Sequence, residues 1–207
     1  MLTVEADAQS VEARLRAGLV ACPVCSEGLS PWGFARARVL RAAGGARLRV
    51  RPRRAACGGC GRTHVLLPLV GLARRADTAA VIGAGLVARA HGWGAGRVAA
   101  LLGRPAATVR GWLRRFAGRV EAVRQLFTGV LCDLDADPPR LEPAGSLFAD
   151  AVAAVTAAAG ALRRRWGGLV LTVSVWEVAA ALTHGRLLAP VWPAELTNTS
   201  RPWQRPR

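Results

Sequence analysis

Two Cys-x-x-Cys pairs, Cys22-Pro-Val-Cys25 and Cys57-Gly-Gly-Cys60-Gly, constrain this chain more than any other feature. Each pair can bring two thiolates to one metal ion, and Pro23 and the glycines permit tight turns that aim backbone N–H groups at sulfur. In a reducing cytoplasm, two such pairs read as a metal site rather than as disulfides. The 31 residues between them exceed the usual about 15–20, so this stretch must hold structure of its own. A hairpin fits, with strands over Phe34–Leu40 and Arg47–Arg51 turning at Ala43-Gly44-Gly45-Ala46. On the second strand Leu48 and Val50 alternate with Arg47, Arg49 and Arg51, giving one apolar and one cationic face. The expectation is a four-cysteine ribbon over residues 20–72 with one structural Zn2+ held by Cys22, Cys25, Cys57 and Cys60. A rubredoxin-like iron centre uses the same knuckles but has no need of this arginine density. A dithiol oxidoreductase would place one pair at a helix start in a βαβ setting, which the sequence lacks. Four metal-free cysteines are the plain alternative. Cys132 stands alone and is expected to be a small buried residue. His64, four residues after Cys60, is expected beside the metal site or on the surface rather than as a ligand. His91 and His184 have no catalytic partner at informative spacing.

The second constraint is Gly94 to Phe116, which has the internal logic of a helix-turn-helix. Val98, Ala99, Leu101 and Leu102 recur at one-face helical spacing, and Gly103 then supplies the left-handed residue of a tight turn. Pro105 suits the first turn of a new helix. In that helix Val109, Trp112, Leu113 and Phe116 recur at three- and four-residue steps and should face a core. Ala106, Ala107, Arg110, Gly111 and Arg114 lie opposite, small residues and arginines suited to a helix entering a major groove. An ordinary helical hairpin with a solvated arginine face is the alternative.

Charge separates these readings. All 29 Lys+Arg residues are arginine, a bias that looks like a high-GC bacterial genome, so arginine use alone says nothing of function. The distribution says more. Between Pro31 and Val120 there are 18 arginines and one acid, Asp77, whereas the rest of the chain has 11 arginines and 12 acids. A basic block of that density attracts a polyanion. An anionic membrane would instead call for one long, sided basic helix. The N-terminus is acidic without a basic-then-apolar run, and Leu169 to Leu182 is too short to span a bilayer. A location in the cytoplasm, at the nucleoid, is therefore expected.

The remainder of the chain supplies supporting parts. Residues 1–19 read as an N-terminal extension. Asp77 is expected to cap a helix running to about Ala90, the first of a three-helix unit over residues 73–132. The second helix of the pair should run on, or restart after Gly118, through Val123 and Phe127. Residues 133–145 form an acidic, proline-punctuated linker. Ser146 should cap a helix to about Trp166, broken by Gly167-Gly168, with another apolar helix over Leu169–Leu188. Residues 146–196 thus read as a helical C-terminal unit with an apolar face for self-association, followed by a disordered basic tail at 197–207. The fold class expected is mainly α with a small β zinc ribbon.

The order of these parts resembles something known. A ribbon with Cys-Pro-x-Cys and Cys-x-x-Cys-Gly, then Leu-Gly-Arg-Pro-x-x-Thr-Val-Arg-x-Trp-Leu-Arg-Arg, looks like the DNA-binding N-terminal modules of insertion-sequence transposases. It resembles more closely zinc-ribbon plus helix-turn-helix proteins of high-GC bacteria, some associated with mobile elements. The resemblance covers about residues 20–120 and implies sequence-specific binding of element ends or an operator. Beyond residue 140 the chain departs from a full transposase, being too short and too helical for an RNase-H-like core. Asp133, Asp135 and Asp137 sit on a linker with no rigid strand to hold two metal ions, and Glu177 is alone.

The reading is therefore a double-stranded DNA-binding protein without catalytic residues. Arg110 and Arg114, with Thr108, are the expected base-edge contacts. Arg97, Arg104, Arg115 and Arg119, with Arg47, Arg49, Arg51, Arg53 and Arg54 of the ribbon, are the expected phosphate contacts. The alternatives are RNA binding through the basic ribbon, or a DNA-targeting subunit partnered by a transposase or recombinase encoded separately.

Overall fold

A computed structural model of the protein describes residues 1–170, 172–190 and 192, with the backbone alone at 168–170. It combines seven α-helices with a four-stranded and a two-stranded sheet among these residues. The chain falls into two compact units, Met1–Ala84 with Trp176–Leu187, and Gly85–Val175 continued from Leu188. No helix among the described residues is long and apolar enough to cross a membrane.

The first unit is built on strands in the order β1-β6-β5-β2. Strand β2 (Leu29–Phe34) pairs antiparallel with β5 (Arg53–Cys57), and β5 with β6 (Thr63–Pro68), while β1 (Leu2–Val4) runs parallel to β6. Helix α1 (Ala8–Arg16) is capped by the Asp7 carboxylate, which accepts the Ser10 N–H at 2.8 Å. Its Val11 and Leu15 are buried in one core with Val4, Leu29, Ala55, Leu66, Cys22 and Cys57. Residues 1–19 are therefore not an extension; they supply an edge strand and the helix that closes the sheet. A three-residue strand pairing with a segment more than sixty residues away leaves no local periodicity to detect.

The expected hairpin exists, with different edges. Strand β3 (Arg38–Arg41) pairs antiparallel with β4 (Arg47–Val50), around a turn at Ala43–Gly45 in which Gly44 and Gly45 take φ of 61° and 78°. The run expected as one strand, Phe34–Leu40, is divided between sheets: Phe34 lies opposite Arg53 of β5, and Leu40 opposite Leu48. Val50 is buried as expected, but Leu48 is exposed. Strand β2 also carries a bulge. Pro31 faces Ala55 and Gly33 faces Arg54, leaving Trp32 as the additional residue.

Helix α2 (Ala79–Ala90) begins differently from the expectation. Thr78 caps it, its Oγ1 accepting the Val81 N–H at 3.4 Å. Asp77 is instead buried and bidentate to Arg41, with Nη2–Oδ2 at 2.6 Å and Nε–Oδ1 at 3.1 Å. A chain return at Trp176–Leu187, holding most of helix α7 (Val175–Leu182), completes this unit. Trp176 lies on Gly83 so closely that an added Cβ there would be 1.9 Å from its Cγ. The Ala73 N–H donates to the Gly185 carbonyl at 2.8 Å.

The second unit contains the last turns of α2, then α3 (Ala95–Leu102), α4 (Ala106–Ala117), α5 (Val120–Leu134) and α6 (Leu147–Val170). Gly103 is left-handed (φ 59°, ψ 43°), closing α3, and Pro105 stands at the cap of α4. Val109, Trp112, Leu113 and Phe116 are buried as their spacing predicts. Leu101 is not: it is 59% exposed, because at about 100° per residue it falls about 100° from the centre of the stripe formed by Val98, Ala99 and Leu102. Arg119 interrupts the helix, and α5 restarts with Val123, Phe127 and Leu131 inward.

Helix α6 is capped by Ser146, whose Oγ accepts the Ala149 N–H at 3.2 Å. Ala151, Val155 and Ala158 on its buried face allow close approach to α5, and Phe148 meets Phe116 with ring centroids 4.8 Å apart. The 146–196 stretch is thus not an independent helical unit: α6 belongs with α3–α5, and Trp176–Leu187 with the ribbon. Most of its described apolar residues are buried within the chain, although Leu147 and Trp166 are exposed. The acidic 133–145 stretch is a loop inside the second unit, tied by Arg164–Asp135 at 2.9 Å and by the Ala144 N–H to Asp150 at 2.6 Å. Asp133 is still helical. Gly167-Gly168 do not end α6, which runs to Val170 with its kink at Trp166 (φ −127°). The apolar helix expected over Leu169–Leu188 shortens to α7. Cys132 is exposed, not buried. The tail at 197–207 lies outside the described residues.

Candidate metal centre and nucleic-acid interface

The four knuckle cysteines converge. Their sulfurs all lie within 4.8 Å of one another, with Cys22–Cys60 at 3.7 Å and Cys25–Cys57 at 3.3 Å. All four are free thiols. Thiolates about 2.3 Å from a central ion in a tetrahedron are separated by about 3.8 Å, so these spacings leave room for one metal ion of that kind. The two knuckles repeat one geometry. The Ser26 N–H donates to the Cys22 carbonyl at 2.9 Å, and the Gly61 N–H to the Cys57 carbonyl at 3.0 Å. Both residues take positive φ, 64° at Ser26 and 69° at Gly61. Ser26, unlike Gly61, carries a side chain in that region, which costs about 1 kcal/mol and persists only where the surrounding turn holds it.

The environment suits thiolate. Burial opposes ionisation of Cys22, but the backbone N–H groups of Val24 and Cys25 and the Cys60 and Cys57 thiols point at its sulfur and bring it down to about 6. The Glu27 N–H favours the Cys25 thiolate, yet Cys57, burial, Cys60 and Cys22 together drive it up to about 12. Four sulfurs so close cannot all ionise without a cation between them. His64, on β6 beside the strand carrying Cys57, is buried, with Nε2 3.5 Å from Cys22 Sγ. With the proton on Nε2 it donates to that sulfur, as a support to the ligand rather than a fifth ligand. Its spacing from Cys60 pointed to a place beside the metal site or on the surface, and the structure puts it beside Cys22.

The expected nucleic-acid contacts divide into free and committed arginines. Arg110 and Arg114 are exposed on α4, opposite its buried stripe, with Thr108 half-buried beside them. Arg97 is exposed, its guanidinium 3.6 Å from the Trp93 ring centroid. Arg47, Arg49 and Arg51 are exposed on and after β4, and Arg51 stacks over Phe34 at 4.6 Å. Arg104 folds back on the α3 terminus, donating to the carbonyls of Leu102 and Gly103 at 3.1 and 3.2 Å. Arg115 lies along its own helix, donating to the Gly111 carbonyl at 2.9 Å. Arg54 is half-buried on β5.

Two of the expected phosphate contacts are occupied elsewhere. Arg119 donates to the carbonyls of Trp192 (2.9 Å), Ala189 (2.6 Å) and Arg115 (2.5 Å); burial, with Arg115 alongside, lowers its pKa. Arg53 is bound to Glu12 at 2.8 Å and to the Gly33 carbonyl at 2.7 Å. Glu12 lies 41 residues from Arg53, and Ala189 lies 70 residues from Arg119, beyond any local rule. Sequence reading also passed over Trp32, which is 62% exposed; a proline before it and a glycine after it were the only hint of the bulge. Compared with known proteins, the chain matches no family model, no curated protein and no solved structure.

Proposed function

We propose that this is a double-stranded DNA-binding protein without catalytic activity, in which α3 and α4 act as a helix-turn-helix and the four cysteines hold one structural zinc ion. The observation that carries the reading is the face of α4. Arg110 and Arg114 are exposed one turn apart, while Val109, Trp112, Leu113 and Phe116 anchor the opposite side. A helix fixed by its apolar stripe and bare on its arginine face suits a major groove, where bidentate arginine reads guanine O6 and N7. The local excess of 18 arginines over one acid between Pro31 and Val120 supplies sequence-independent attraction to phosphate. Zinc is favoured by a donor set of four thiolates, which selects soft or borderline metals, and by the tetrahedral spacing.

Random-site selection on double-stranded DNA with the purified protein tests the reading. An enriched motif whose preference weakens in Arg110→Ala and Arg114→Ala supports it; selection without enrichment overturns it. Metal analysis should return about one zinc per chain.

A further inference from the structure

The four-stranded sheet has an inner face, filled by α1, and an outer one, which the Ala180–Gly185 return covers at its Thr3/Leu67 end and leaves open at its Ser30/Thr63 end. Leu29, Ala55, Cys57 and Leu66 point into the core. The register then places Ser30, Ala56 and Thr63 side by side on the other face, and next to them the row of Gly33, Arg54 and Val65. The bulge inserts Trp32 into that second row, on the side of Arg54. Ser30 and Thr63 are exposed, and Ala56 is half-buried, so the first row is a low floor of small side chains. Above it stands Trp32, 62% exposed. Arg54 has a buried Nε with no hydrogen-bond partner among the described residues. Strands β2, β5 and β6 contain no acidic residue.

We propose that this outer face is a binding site for single-stranded nucleic acid, with a base stacking on Trp32 and Arg54 contacting the adjoining phosphate. A projecting indole, a shallow floor and a free cation match what an unpaired strand presents, π-faces flanked by phosphates. A duplex presents no accessible base face to a sheet of this shape. Exposed Arg47, Arg49 and Arg51 of the same unit supply the charge complementarity. Nothing in this site depends on α4; Arg54, also an expected phosphate contact on duplex DNA, is shared, whereas Trp32 is not.

The test uses the full-length, zinc-loaded protein and labelled oligo(dT) and oligo(U) of about 15 nucleotides, with a duplex of equal length as control. Trp32→Ala should weaken single-strand binding about fivefold or more in at least one of the two strands, and Trp32→Phe should restore most of it. Arg54→Ala should lower the salt slope for the single strand by about 0.7. Duplex affinity should stay unchanged in Trp32→Ala, and zinc content and far-UV circular dichroism should match the parent. Absence of single-strand binding by the parent, or an unchanged affinity in Trp32→Ala, would overturn the proposal, as would equal losses on single strand and duplex. If Arg110→Ala leaves duplex selectivity intact while Trp32→Ala still weakens the single strand, the duplex reading fails and this one stands.

Discussion

The two units hold themselves together by different means. The first has a core of small and medium side chains that includes Cys22 and Cys57, braced by the Glu12–Arg53 and Asp77–Arg41 pairs. The second is an apolar assembly of helices in which Trp112, Phe116, Phe127 and an alanine-rich α6 do the packing. The same residue type also plays opposite parts. Arg53 and Arg119 are structural donors, whereas Arg49, Arg110 and Arg114 face solvent. Arginine count alone is thus a poor guide to a binding surface; what matters is which guanidinium groups the fold has left unspent.

The sharpest way to break this comparison is to remove the metal. If the four cysteines hold the proposed zinc, chelation or Cys57→Ser should unfold the ribbon unit, because such a site supplies about 10 kcal/mol or more, while the helical signal of α3–α6 persists. A single transition abolishing all structure, or none at all, would contradict the division. The same centre carries a pH signature. The crowded sulfurs and backbone N–H groups lower the Cys22 pKa and raise that of Cys25, so metal entry must displace a thiol proton. Zinc affinity should therefore rise with pH, and drop further as the pH falls through about 6; competition with a chromophoric chelator measures it.

The complementary experiment cuts into the helical unit. Phe127→Ala removes a fully buried ring and should cost about 3–5 kcal/mol by denaturant unfolding, with zinc content unchanged. A loss of zinc would show that the units are not separable.

Two arginines on neighbouring helices then sharpen the contrast between spent and unspent donors. Arg119→Ala strips three carbonyls of their donor and should lower stability by about 1–3 kcal/mol without altering the salt slope of DNA binding. Arg110→Ala should do the reverse, leaving thermal unfolding unchanged but costing about 1–3 kcal/mol of affinity for the selected site. If the two variants behave alike, exposure has not separated the roles.

The smallest effect concerns the hairpin. Arg49→Ala should weaken selected and scrambled duplexes alike and reduce the salt slope by about one unit. Loss of sequence preference in this variant, with Arg110→Ala merely weakening everything, would make the ribbon the reader.

Legibility in the sequence followed distance along the chain. The α3–turn–α4 geometry was readable because Gly103, Pro105 and the Val109–Phe116 stripe lie within about four helical turns of one another. The cysteine cluster was readable despite its long loop because knuckles declare themselves locally. What escaped was long-range. Leu2–Val4 becomes a strand only by pairing with β6, Asp77 gives up its capping role to a distant Arg41, and α6 finds its partner in α5 across a linker that looked like a boundary. The Trp32 bulge escaped for a related reason, since a register shift belongs to two strands and neither states it alone.

The return of Trp176–Leu187 to the first unit has a consequence in time. On the ribosome the knuckles and sheet emerge early, but Gly83 must wait for Trp176, some 90 residues later. At about 5–20 residues per second that interval is roughly 5–20 s. In that interval the ribbon's cysteines emerge ahead of the segment that completes their unit. The cysteines that could hold a metal ion are thus available to it before Trp176 can close onto Gly83.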